Sequence, residues 1–153
     1  MTPLDSFDLA ILRILQRDAK TPQREIGAAV NLSAPSVQRR IKRMEDEGVI
    51  RANVALLDPE KVGRPLTIFV QVELVSETAQ EIDAIKTRFR EGPEVQQCFY
   101  VTGEADFMLV VVVESMAAYE AFTRRAFLDS GNVRKFRTFV AMDRVKEGMS
   151  LPL

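Results

Sequence analysis

The chain's 153 residues suit one ordinary domain or two small ones, and its 46% hydrophobic content suffices for a packed core, so disorder is not expected. A net charge of −1 argues against a protein that coats nucleic acid by bulk charge. A single cysteine, Cys98, excludes an internal disulfide and points to a reducing compartment; with no histidine, Ser-His-Asp and Cys-His catalysis are unavailable and a structural zinc site is disfavoured.

Charge is unevenly distributed. Residues 1–52 hold nine Lys or Arg against seven Asp or Glu, a net +2, and the remainder nets −3. The opening MTPLDSFDLAIL carries no basic-then-apolar leader. The longest apolar run, Phe107–Val113, is far short of the ~20 residues of a membrane helix. A cytoplasmic protein without membrane partners is therefore expected.

Leu4–Asp18 predicts an amphipathic helix. Leu4, Phe7, Ile11, Ile14 and Leu15 share a face, and Asp5 and Asp8 complement the N-terminal dipole. Thr21 then reads as the cap of a short second helix, with Pro22 at its first position and Ile26, Ala29 and Val30 as its stripe. Asn31-Leu32 makes a turn into Ser33, the N-cap of a third helix that opens Ala34-Pro35-Ser36. Val37, Ile41 and Met44 recur at i, i+4, i+7 and face a core, while Arg39, Lys42 and Arg43 point away, Ser36 and Gln38 flank them, and Arg40 lies nearer the core edge. No acid occurs between Asn31 and Met44, and Gly48 ends the helix.

Helix, short turn, basic helix is the helix-turn-helix arrangement, so duplex DNA is the expected partner. Ser33, Ala34, Pro35, Ser36, Gln38, Arg39, Arg40, Lys42 and Arg43 form the candidate DNA-binding set. Within it, Ser36, Gln38 and Arg39 are the base-edge candidates; Arg40, Lys42 and Arg43, with Arg51, are the phosphate candidates. An extended piece from Val49-Ile50 through Asn53–Leu57 would add a wing. Residues 1–52 are thus read as the helix-turn-helix domain, 53–65 as hinge strand and Pro/Gly-rich linker, and 66–153 as a second domain.

In that second domain Leu66–Val75 alternates as a strand does. Ser76 reads as the cap of a helix marked by Ile82, Ile85 and Phe89 and stopped by Gly92-Pro93. Val95–Thr102 and Phe107–Glu114 are strands, Ser115 caps a helix presenting Tyr119, Phe122 and Ala126, and Val133–Lys146 is a long final strand. The order βαββαβ is ferredoxin-like, so the fold class is α+β: a winged helix-turn-helix followed by a ferredoxin-like domain. Two helices cover one side of such a sheet. Phe69, Met108, Val110, Val112, Phe139 and Ala141 lie on the other, which implies a homo-oligomer packed sheet to sheet across a two-fold axis.

This layout resembles the Lrp/AsnC, or feast/famine, family of transcriptional regulators over essentially the whole chain. LDSFDLAILRILQRDAK is similar to the family's first helix, NLSAPSVQRRIKRMEDEGVI to its recognition segment, ALLDPEKVG to its hinge strand, YVTGEADFMLVV to its glycine-to-aspartate loop, and RTFVAMDRVK to its last strand. The resemblance implies sequence-specific regulation, dimers that assemble to octamers, and a free amino acid as effector. It places response positions at Thr102, Gly103, Asp106, Met116, Leu128, Phe139, Val140 and Ala141. The chemistry suits Gly103, whose turn can expose backbone N–H groups to a carboxylate, and Asp106, which can receive an ammonium or orient the loop. The family loop often has an aromatic where Ala105 stands. Two alternatives remain: an octameric architectural protein that wraps DNA, and an amino-acid-binding assembly that does not bind DNA. Neither G-x-x-x-x-G-K-[ST] nor G-x-G-x-x-G occurs, so no nucleotide cofactor, no metal and no enzymatic activity are expected.

Overall fold

The computed structural model describes residues 2–153 and separates into two compact units, one running through Leu56 and including Lys146–Leu153, the other spanning Leu57–Val145. The first is tri-helical: α1 (Ser6–Leu15), α2 (Gln23–Val30) and α3 (Ala34–Asp46). Their stripes converge on Ile11, Leu12, Ile26, Val30, Val37 and Met44, all buried. Lys146–Leu153 runs along α1, where Leu151 and the Gln16 side chain exchange two hydrogen bonds of 2.6 and 3.2 Å.

Local chemistry sets the helix boundaries. Asp5 caps α1 in a reciprocal box with Asp8: each carboxylate accepts from the other residue's backbone N–H. The helix is therefore shorter than the Leu4–Asp18 periodicity suggests. Thr21 does not cap α2: its hydroxyl donates to the Asp18 carbonyl, and Pro22 takes the cap position without a side-chain bond. Ser33 caps α3 as expected, accepting from the Ser36 N–H, and Gly48 stops it with φ +73°.

Between α2 and α3, Asn31 adopts a left-handed conformation (φ 56°, ψ 44°) and the Leu32 N–H bonds to the Gly27 carbonyl. Gly27 is buried, and a Cβ placed there would lie 2.4 Å from the Leu32 carbonyl oxygen. The turn therefore closes only over a glycine.

The expected wing does not form: no residue from 47 to 65 is in a strand. Val54, Leu56 and Leu57 are exposed, and among the described residues no neighbouring strand receives their backbone bonds.

In the second unit, β1 (Leu66–Leu74), α4 (Ala79–Glu91), β2 (Val95–Tyr100), β3 (Phe107–Val113), α5 (Met116–Ala126) and β4 (Val133–Val140) form a four-stranded antiparallel sheet of order β2-β3-β1-β4. Both helices lie on one face. Ile68, Val70, Val72, Phe107, Leu109 and Val111 pack there against Ile85 and Phe89 of α4 and Phe122 of α5. Phe89, Phe107, Phe122 and Phe127 meet edge to face within this core, at centroid separations of 5.3–5.8 Å. The cap of α4 is Thr78 rather than Ser76, whose backbone N–H and carbonyl are bound by the Asn132 amide. β2 stops at Tyr100 and β4 at Val140, short of the expected Thr102 and Lys146.

Gly27→Ala should reverse the usual sign of a helical glycine-to-alanine change, which normally stabilises by about 0.5–1 kcal/mol. The expected outcome is a loss of 1 kcal/mol or more, on the order of an overpacking cost, read by denaturant unfolding of the purified chain. A neutral or stabilising result would show that the turn does not need its close approach.

Candidate functional site

The polar face of α3 is built in two parts. Gln38 and Arg39 are exposed and bond to no other described residue, while Lys42 reaches only its exposed i+4 neighbour Asp46 at 3.1 Å. Ser36 bonds back to the Ser33 hydroxyl, and Ala34 and Pro35 form the first turn. These side chains face outward beyond the stripe of Val37 and Met44, as a groove-reading helix requires.

Arg40 and Arg43 behave differently. Asp8 is fully buried, and its carboxylate receives Arg40 Nη1 at 2.8 Å and Arg43 Nη2 at 2.5 Å. Arg40 Nη1 also bonds Asp5 at 2.8 Å, and its guanidinium lies over the Phe7 ring, 5.5 Å from the centroid. A carboxylate without water must be matched by cations and donors. Burial is the largest single influence on Asp8 and pushes its carboxyl up. The Asp5 N–H and the two guanidiniums together outweigh it, so Asp8 sits below its ordinary value. The bond to Asp8 raises Arg40 in turn. Arg39, Arg40 and Arg43 line a recess of about 230 Å³.

In the second unit, the Gly103 loop hangs from Asp106. Its Oδ2 accepts from the Leu74 N–H at 2.7 Å, its own N–H bonds the Val72 carbonyl, and its carbonyl receives the Val101 N–H. Thr102 and Gly103 are thereby held exposed at the tip, with Gly103 at φ +125°. Of the two roles open to Asp106, one carboxylate oxygen is committed to orienting the loop. Met116 begins α5, Leu128 lies in a 3₁₀ turn (Leu128–Ser130), and both are exposed. Phe139 is on the uncovered face of the sheet, Val140 on the opposite side of the same strand, and Ala141 just beyond, its N–H bonded to the Thr67 carbonyl. The open groove of about 440 Å³ between α4 and α5 is lined by none of these eight positions.

The uncovered sheet face carries Phe69, Phe99 and Phe139, each 43–53% exposed, with Met108, Val110 and Val112 half-buried between them. Phe69 pairs directly with Phe139 on β4 and with Val110 on β3.

A model of the AsnC-type helix-turn-helix domain matches residues 4–45, and one of the Lrp/AsnC ligand binding domain matches residues 67–151. The chain belongs to the Lrp/AsnC family. It is 41% identical over 98% of its length, and 89% of the relative's, to an uncharacterized HTH-type transcriptional regulator of Sinorhizobium fredii. It is 35% identical, over the whole of both chains, to the Bkd operon transcriptional regulator of Pseudomonas aeruginosa. Among solved structures, a transcriptional regulator from Neisseria meningitidis in complex with L-Met superimposes with a TM-score of 0.91 at 31% identity, covering 98% of this chain and 97% of that one.

This Lrp/AsnC chain is accordingly a helix-turn-helix transcriptional regulator. No helix among the described residues is long and apolar enough to cross a membrane. Cys98 is half-buried and burial pushes its thiol up, the opposite of an activated nucleophile. Helical spacing places Asp5 and Asp8 at the N-terminal dipole and Phe7 on the apolar face, and by itself gives none of them an arginine partner. The i, i+3 spacing of Asp5 and Asp8, a capping-box pattern, was the available sign that Asp8 turns inward. Nothing local marks Arg40 and Arg43 as its partners 32 and 35 residues away.

Because the folded-state carboxyl of Asp8 is depressed, its contribution is fully present above the ordinary carboxylate value and is lost as pH falls through the folded value. Asp8→Asn should cost roughly 3 kcal/mol at neutral pH, in the range for breaking a buried pair. It should also flatten the acid limb of the melting temperature. Thermal melts from neutral to strongly acidic pH check both; parallel acid limbs for wild type and variant would refute the assignment.

Proposed function

We propose that this chain regulates transcription as a two-fold dimer whose paired α3 helices enter successive major grooves of duplex DNA about 34 Å apart, and that its effector is a free amino acid. The observation that carries the DNA part is the outward face of α3: Gln38, Arg39 and Lys42 stand exposed on a helix anchored by Val37 and Met44, with no acid before Glu45. Ser36, Gln38 and Arg39 read base edges; Lys42 and the guanidiniums of Arg40 and Arg43 hold phosphates, and Ser33, Ala34 and Pro35 bring the helix N-terminus to the backbone. The uncovered face of Phe69, Val110 and Phe139 supports the dimer. Further assembly to an octamer follows the family expectation.

The amino-acid effector is supported by the L-Met complex of the Neisseria regulator and by the Gly103 turn, which Asp106 holds open. Thr102, Gly103, Asp106, Met116, Leu128, Phe139, Val140 and Ala141 are the proposed response positions. Phe139 stands on the uncovered sheet face and the groove between α4 and α5 contains none of the eight, which supports a site completed by a neighbouring copy. The regulator acts in the cytoplasm and needs no cofactor.

Titration of DNA binding over a salt series tests the roles. Lys42→Ala should weaken specific and random duplexes alike and reduce the salt slope by about 1. Arg39→Ala should instead relax sequence preference, losing about 1–3 kcal/mol of discrimination at one base pair. An equal loss on all sequences would contradict base reading by Arg39. For the effector, a thermal-shift screen of the free amino acids should find one that raises the melting temperature, since a ligand at 100 times its Kd stabilises by about 2.7 kcal/mol. A flat response across all of them would remove the amino-acid reading.

A further inference from the structure

Arg40 and Arg43 are not loose surface cations. Arg40 is fixed by Asp5, Asp8 and the Phe7 ring, and Arg43 by Asp8, so every anchor comes from the N-terminal end of α1 or its cap. The acids engage Nη1 of Arg40 and Nη2 of Arg43. A guanidinium has five N–H donors. Nε and Nη2 of Arg40 and Nη1 of Arg43 bond to no described residue, and both side chains remain 22–32% exposed. The recess these two share with Arg39 measures about 230 Å³, several times the ~30 Å³ share of one water and roomy enough for a phosphoryl group. Arg40 and Arg43 balance the carboxylates of Asp5 and Asp8, so what they offer a phosphate is directed N–H donors, with the charge of Arg39 beside them.

We infer that Asp8 is a positioning residue for a phosphate clamp: from beneath, it orients Arg40 and Arg43 so that their outward N–H groups together grip one backbone phosphate of DNA. Arg39, the third wall, stays available to the base edges. The inference rests on the DNA-binding reading above and adds a role for an acid that never touches the duplex. A flexible arginine loses rotamer freedom when it binds; one already held by a buried carboxylate loses less. Charge counting alone gives the opposite expectation, because deleting an anion near a DNA-facing surface should tighten binding.

Fluorescence-anisotropy titration of a random-sequence duplex over a salt series separates the two, with circular dichroism confirming that each full-length variant is folded. The clamp predicts that Asp8→Asn binds about tenfold more weakly. Glu45→Gln, which removes the same charge from an exposed acid of α3 that anchors neither arginine, should bind as tightly as wild type or tighter. Arg43→Gln should reduce the salt slope by about 1. Equal or tighter binding by a folded Asp8→Asn overturns the inference, and so does an Arg43→Gln slope equal to wild type. Should Asp8→Asn not fold, the Arg43→Gln slope decides alone. A wild-type chain that binds no duplex would remove the DNA reading itself, a result distinct from binding that ignores Asp8.

Discussion

Burying the Asp8 carboxylate costs several kcal/mol unless cations and donors replace its water. The N-terminal unit is arranged to supply them: the Asp5 N–H from the cap of α1, and Arg40 and Arg43 from successive turns of α3. Because Asp8 has no exposure, these contacts fix the rotation of α3 about its own axis as well as its distance from α1. The apolar contacts of Val37 and Met44 tolerate some rotation; two bonded guanidiniums do not. The outward aim of Gln38 and Arg39 follows from that constraint. Gly27 adds the second fixed point, since the turn into α3 approaches α2 too closely for any Cβ.

In the second unit the governing constraint is area. Two helices cover one face of four strands, and the aromatic core of Phe89, Phe107, Phe122 and Phe127 completes that face. On the other, Phe69 and Phe139 stand opposite each other across β1 and β4 with no covering element in their own unit. The sheet therefore offers an apolar face of the kind a second layer covers.

The regular elements were legible because their periodicities are strong. Alternation in Leu66–Leu74 and the all-apolar Phe107–Val113 run identified two strands, and the Ser33 cap, Val37/Met44 stripe and Gly48 stop identified α3 within a residue or two. Boundaries failed where several side chains competed for one role. Ser76 has the right residue type for a cap, but Asn132, distant in sequence, engages its backbone and Thr78 takes the position. Thr21 and Asp18 satisfied each other instead of capping α2. The hinge residues Val54–Leu57 alternate no more than a coil does, and a strand needs a neighbour that this chain does not offer them. At the candidate site, residue types and their outward face were readable from 3.6-residue spacing. The inward bonds of Arg40 and Arg43 were not, because helical periodicity assigns direction and says nothing of a carboxylate 32 residues upstream.

That last failure carries the physical point about basic helices. Arg39, Arg40, Lys42 and Arg43 look equivalent by count, yet the fold divides them. The Arg39 side chain has no bonding partner among the described residues and Lys42 has only its exposed neighbour Asp46, so both are loosely held. Arg40 and Arg43 are tied to a buried anion carried by α1. A free cation contributes counterion release at any phosphate it reaches, so it adds affinity without register. A tethered cation contributes only where the phosphate falls at a fixed position relative to the helix axis, so it adds register at a smaller electrostatic gain. A helix that is to place side chains against particular base edges needs the second kind, and an acid buried behind its basic face is a direct means of making it.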